Sequence, residues 1–96
     1  MDWREVAEEI YDKVTRALDY WCWNVSGDTA LDCYCAHQDR DFYSLAEEFC
    51  GWSRFKITEK DLELLQSMPD DIYEEYNNKL QEAIEKVVDK LSQEVV

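Results

Sequence analysis

The sequence predicts an α+β fold: a small antiparallel sheet packed by an N-terminal helix and a long C-terminal helix. Three observations lead there. Apolar residues recur at helical spacing near both ends of the chain. Residues 20–36 switch to an aromatic, β-prone pattern around a glycine turn. Residues 52–57 alternate as a third strand would. The chain has 96 residues, enough for one domain with a modest core. Only two Gly and one Pro interrupt it, which favours long elements. A mostly α fold with an irregular middle is the alternative.

Residues 3–19 form the first helix. Trp3, Val6, Ala7, Ile10, Tyr11, Val14, Ala17 and Leu18 share one arc. Asp2 is the expected N-cap, with Glu5 three residues on as in a capping box. The hairpin comes next. Tyr20–Val25 is one strand, Ser26-Gly27-Asp28 the turn and Thr29–Cys35 the return. After the polar break 38–41, residues 41–50 read as a short helix closed by Gly51 at C′. Trp52–Ile57 is the third strand, with Phe55 and Ile57 inward. Thr58 and Asp61 then resemble a capping box opening a helix through Gln66. Pro69 suits the first turn of the last helix, where its missing N–H costs nothing. Asp70 and Asp71 sit at the positive end of that helix dipole. The helix runs to about residue 93, some ~35 Å at 1.5 Å per residue.

Charge narrows the function classes. Twenty-three Asp and Glu against ten Lys and Arg leave a net charge of −13. Such a chain repels nucleic acid and anionic membranes, and attracts basic surfaces in a salt-dependent way. Aromatic residues at 14% and hydrophobic residues at 46% argue against disorder. No run approaches the ~20 apolar residues of a membrane span, and the charged start Met1-Asp2-Trp3-Arg4-Glu5 is unlike a signal peptide. The expected location is the cytoplasm, which makes the sequon Asn24-Val25-Ser26 a chance match.

The metal-type residues are Cys22, Cys33, Cys35, His37 and Cys50. On a strand, positions 33, 35 and 37 would share one face. Four of the five could hold a tetrahedral zinc, but the one close pair has C-x-C rather than C-x₂₋₄-C spacing. Reduced thiols filling the core are the simpler reading, and a cytosolic location argues against disulfides. No cofactor motif is present: two glycines make no phosphate-cradling loop, and no Cys–His pair carries an orienting partner. The expectation is a protein that is not an enzyme. Trp21 and Trp23, or their alternates, are expected in the sheet core. Trp52 shares a face with Arg54 and Lys56, a small basic-aromatic patch that either meets a partner or packs on an acidic helix.

The sharpest feature is the last helix. Read at 100° per residue, Asp71, Glu75, Asn78, Glu82, Glu85 and Asp89 fall along one line. Tyr73, Tyr76, Leu80, Ile84, Val87 and Leu91 fall opposite. The first helix repeats the design with Glu5, Glu8, Glu9 and Asp12. Carboxylates three and four residues apart stand ~5–6 Å from one another, comparable to the spacing of backbone phosphates. Lys79, Lys86 and Lys90 flank the row and dilute it.

In size, acidic helix faces and lack of a catalytic signature, the chain resembles the small acidic phage-encoded inhibitors, the anti-CRISPR and anti-restriction proteins that imitate DNA. The resemblance implies a partner whose nucleic-acid channel is blocked, such as a CRISPR effector or a restriction enzyme. The expected binding residues are Asp71, Glu74, Glu75, Glu82, Glu85 and Asp89, with Tyr73 and Tyr76 as flanking anchors and Glu5, Glu8, Glu9 and Asp12 as a second acidic face. The rival expectations are a homodimeric assembly protein, burying the apolar seam of the last helix against a second copy, and a zinc-stabilised interaction module.

Overall fold

The computed structural model describes residues 2–94. Among them there is no β-strand, so the α+β expectation is overturned in favour of the helical alternative. The helices are α1 (Trp3–Tyr20), α2 (Ala30–His37), α3 (Phe42–Phe49), α4 (Glu59–Ser67) and α5 (Asp70–Glu94).

Each helix opens on a local signal. The Asp2 carboxylate accepts from the N–H groups of Arg4 and Glu5 at 3.0 and 3.4 Å. Asp41 does the same for Ser44 at 2.7 Å. At α4 the capping box is complete: Asp61 N–H donates to Thr58 Oγ1 and Thr58 N–H to Asp61 Oδ2. Pro69 precedes α5, and its carbonyl accepts from Ile72 and Tyr73. Gly51 follows α3 at φ +85°, a region where a Cβ is unfavourable.

The expected hairpin is two helical pieces. Residues Trp21–Val25 continue α1 as a π-turn, closed by Ser26 N–H donating to the Trp21 carbonyl at 2.9 Å. The aromatic run reads as strand by propensity alone, but Tyr20 and Trp21 gain more from packing on Trp52, Phe55 and Phe49, and tertiary contact overrides β-propensity. Gly27 at φ +79° lies in a bend between helical segments, not in a hairpin turn. Thr29 then caps α2, accepting from Asp32 N–H at 3.2 Å. The third strand is likewise absent: Phe55 and Lys56 N–H both donate to the Trp52 carbonyl, Lys56 adopts φ 58°, and Ile57 is buried.

α1 and α5 lie side by side and run parallel. Arg4 pairs with Glu75 and Glu8 with Lys79, each across 71 residues. α2 packs on α5 and the π-turn, while α3 and α4 pack on α1. The core is drawn mainly from α1 (Ala7, Ile10, Val14, Ala17, Leu18), α3 (Phe42, Leu45, Ala46, Phe49) and α5 (Tyr76, Leu80, Ile84). Side chains of α5 also satisfy the start of α3: Asn77 Oδ1 accepts from Phe42 N–H at 2.8 Å and Tyr73 OH from Tyr43 N–H at 3.1 Å. These are donors that a helix leaves unpaired in its first turn.

Leu80 has no exposed surface, so Leu80→Ala is expected to destabilise the fold by about 2–5 kcal/mol, read as a lowered midpoint in chemical denaturation. Tyr34 donates to Asp19 at 2.7 Å, and burial first, then that carboxylate, pushes its phenol above the usual tyrosine range. The fold favours the neutral phenol. Its contribution is full below about pH 10 and falls as pH rises further, when the unfolded chain ionises and the folded one does not. Denaturation midpoints compared at about pH 9 and pH 11 should drop less for Tyr34→Phe than for the wild type.

Candidate partner-binding surface

The acidic row on α5 is real as a surface, but its members are not equivalent. Asp71, Glu74, Glu75, Glu82, Glu85 and Asp89 are all exposed. Glu75 is bound by Arg4. None of Asp71, Glu74, Glu82, Glu85 and Asp89 has an ion-pair partner among the described residues. From Asp71 to Asp89 the row spans about 27 Å of helix.

Tyr76 does not flank the row. It is buried, edge-on to Tyr11 at 6.2 Å, and burial raises its phenol above the ordinary range, with Glu8 adding to the effect. Tyr73 is half-buried, stacked on Phe42 at 6.0 Å with its hydroxyl accepting from Tyr43 N–H. Both expected anchors belong to the fold, because α1 and α3 cover the side of α5 that carries them.

The second acidic face divides in the same way. Lys79 grips Glu8 at 3.1 Å and sits over the rings of Tyr11 and Tyr76 at 4.7 and 5.3 Å. Its hydrogen bond, then that of Tyr76, holds the Glu8 carboxyl below the ordinary range. Asp12 pairs with Arg16 at 3.2 Å. Glu5 and Glu9 remain exposed and unpaired among the described residues. On the helical wheel of α1, positions 5, 9 and 12 lie beside the seam that Arg4 and Glu8 form with α5. Two acidic ridges therefore flank one neutralised seam.

The basic-aromatic patch is not free either. Trp52 packs against Trp21, Phe55 and Phe49 at 5.0–6.1 Å, and the Arg54 guanidinium lies 4.2 Å over the Tyr20 ring. Trp23, expected in the core, is 55% exposed.

Of the five metal-type residues, three converge. Cys22 and Cys33 are joined as a disulfide, contrary to the expectation of reduced thiols, and His37 lies against them. Cys33 and His37 share a face because they are i, i+4 on a helix. Cys35, placed with them by a strand reading, points outward and is free, as is Cys50 at the end of α3. Thr29 and Asp32, an N-cap followed three residues later by an acid, were the signal for α2. The disulfide had no comparable signal, since spacing does not reveal connectivity. No protein-family model, curated protein or solved structure matches the chain. No helix among the described residues is long and apolar enough to cross a membrane.

Thiol labelling of the unreduced protein should modify exposed Cys35 first, and leave Cys22 and Cys33 unmodified until a reductant is added. Opening that 11-residue separation is expected to lower stability by roughly 2–3 kcal/mol.

Proposed function

We propose that this protein is a non-enzymatic acidic inhibitor that occludes a basic nucleic-acid-binding surface on a partner protein, such as a CRISPR effector or a restriction enzyme, in the cytoplasm. The observation that carries this reading is the ridge of exposed carboxylates at Glu82, Glu85 and Asp89, unpaired among the described residues, with Asp71 and Glu74 at the other end of the same helix. A helix packed along its length on α1 and α2 presents those charges with little left to order on binding, which favours affinity. A basic channel built for phosphates would attract such a row by charge complementarity, an attraction that weakens as salt screens it. Glu5 and Glu9, across the seam, extend the anionic surface to a second row.

Self-association is supported less. Tyr76, Leu80 and Ile84 of the apolar seam are buried within the chain, so they are not available to a second copy. Among the described residues, the exposed large apolar side chains are Trp23 and Val25. Trp23 also lines a hollow of about 260 Å³ with Val87 and Leu91.

The test is capture by the tagged protein from a lysate rich in nucleic-acid enzymes, washed at low and high salt. The expected outcome is a basic nucleic-acid-binding protein held at low salt, released at high salt and displaced by added duplex DNA. Against that captured protein, Glu82→Lys with Glu85→Lys should weaken binding at least tenfold. Glu75→Gln should change it less than Glu82→Gln, because Arg4 already neutralises Glu75. Undiminished binding by the double charge reversal would remove α5 as the site. A salt-independent dimer seen by sedimentation, with nothing else captured, would favour self-association.

A further inference from the structure

Three donor atoms meet in the interior where the π-turn and α2 come together. Cys22 Sγ, Cys33 Sγ and a ring nitrogen of His37 lie within 4.8 Å of one another, and all three residues are buried. Donors on one tetrahedral zinc stand about 3.5–3.8 Å apart, given Zn–S of about 2.3 Å and Zn–N of about 2.0–2.1 Å. Cys33 Sγ is already 3.9 Å from His37 Nδ1.

The surroundings add a second, independent feature. His37 Nε2 is 3.2 Å from Glu48 Oε2, and Arg40 grips the same Glu48 oxygen. Arg40 is itself held by Ser44, whose hydroxyl accepts from its guanidinium at 2.9 Å. A metal-bound histidine commonly donates its other ring N–H to a carboxylate, which fixes its tautomer and orientation. The ring also stacks beside Phe49 at 6.4 Å. Phe49 and Glu48 line a cavity of about 290 Å³ together with Trp21 and Trp52.

We propose that, once the disulfide is reduced, Cys22, Cys33 and His37 Nδ1 form a three-ligand site for a thiophilic divalent cation of the zinc type, with Glu48 orienting the imidazole. The two states exclude each other because the same sulfurs serve both. A cellular dithiol supplies two electrons and two protons: the Sγ–Sγ bond breaks, each sulfur becomes a thiol, and the dithiol closes to its own disulfide. The cation then binds both sulfurs as thiolates, and their two protons go to solvent. His37 binds as the Nε2–H tautomer, so Nδ1 gives up its 2.7 Å contact with the Cys33 carbonyl oxygen. Water completes the tetrahedron. The cross-link that holds the π-turn to α2 is thereby replaced by a metal bridge between the same two positions.

The probe is cobalt(II), added under nitrogen to the full chain reduced with a water-soluble phosphine. The expected result is one equivalent bound, with thiolate-to-cobalt charge transfer and tetrahedral d–d bands, displaced by zinc, and no such bands with the oxidised chain. His37→Ala should weaken zinc binding at least tenfold while helicity by circular dichroism is kept. Glu48→Gln, which leaves every ligand in place, should weaken it by about 10–100-fold. Cys35→Ser with Cys50→Ser should bind as the wild type does. A reduced wild type that stays helical and binds no cobalt overturns the proposal. Affinity unchanged in both His37→Ala and Glu48→Gln overturns it as well, and so does loss of binding in the Cys35/Cys50 variant.

Discussion

Parallel packing of α1 on α5 is the contact from which the other positions follow. Ala7 and Ala17 of α1 have no exposed surface, and such small residues let neighbouring helices approach. Ile10, Val14 and Leu18 fill the space between them and the rest of the core. Two parallel neighbours at opposite ends of a chain need a return path. The π-turn, α2, α3 and α4 supply it, and they cover the remaining apolar sides of both helices. A short chain has few other ways to bury so much aliphatic surface, and that burial is its main source of stability.

The return path is held by groups that reach across it. The Cys22–Cys33 bond ties the π-turn to α2, and Tyr34 ties α2 back to Asp19 of α1. Arg40 and His37 share Glu48. Lys13 of α1 meets Asp61, the capping residue of α4, at 3.2 Å. That one carboxylate, largely buried, serves the Thr58 N–H and an ammonium together. Removing a buried ionic partner leaves the other uncompensated, so these junctions hold the order of the helices as well as adding stability.

The same packing sorts the charges. A chain of net charge −13 must keep its acids in water. Helical periodicity does this on α1 and α5 by placing them opposite the apolar stripes. Where the two helices meet, Arg4 and Lys79 neutralise Glu75 and Glu8. What remains exposed and unpaired is thus an outcome of packing. Among the described residues Glu82, Glu85 and Asp89 have no ion-pair partner, because α1's cations are engaged elsewhere: Arg4 with Glu75, Lys13 with Asp61 and Arg16 with Asp12.

Much of this was legible in the chain itself. The two long helices, their inward faces, the short helix after Asp41 and the Thr58–Asp61 cap each rest on contacts within a few residues, which local sequence carries. The aromatic middle was not legible. Tyr20–Val25 has the composition of a strand, and only its contacts with Phe49, Trp52 and Phe55 make it helical. The candidate surface divides along the same line. The alignment of its carboxylates is a property of the helical repeat, visible in the sequence. Which carboxylates stay unpaired, that Tyr76 is buried rather than offered to a partner, and that Cys33 meets Cys22 with His37 alongside were decided by tertiary structure. Each depends on residues far apart in sequence, as with Arg4 and Glu75, 71 positions apart, and no local periodicity encodes a partner at that distance.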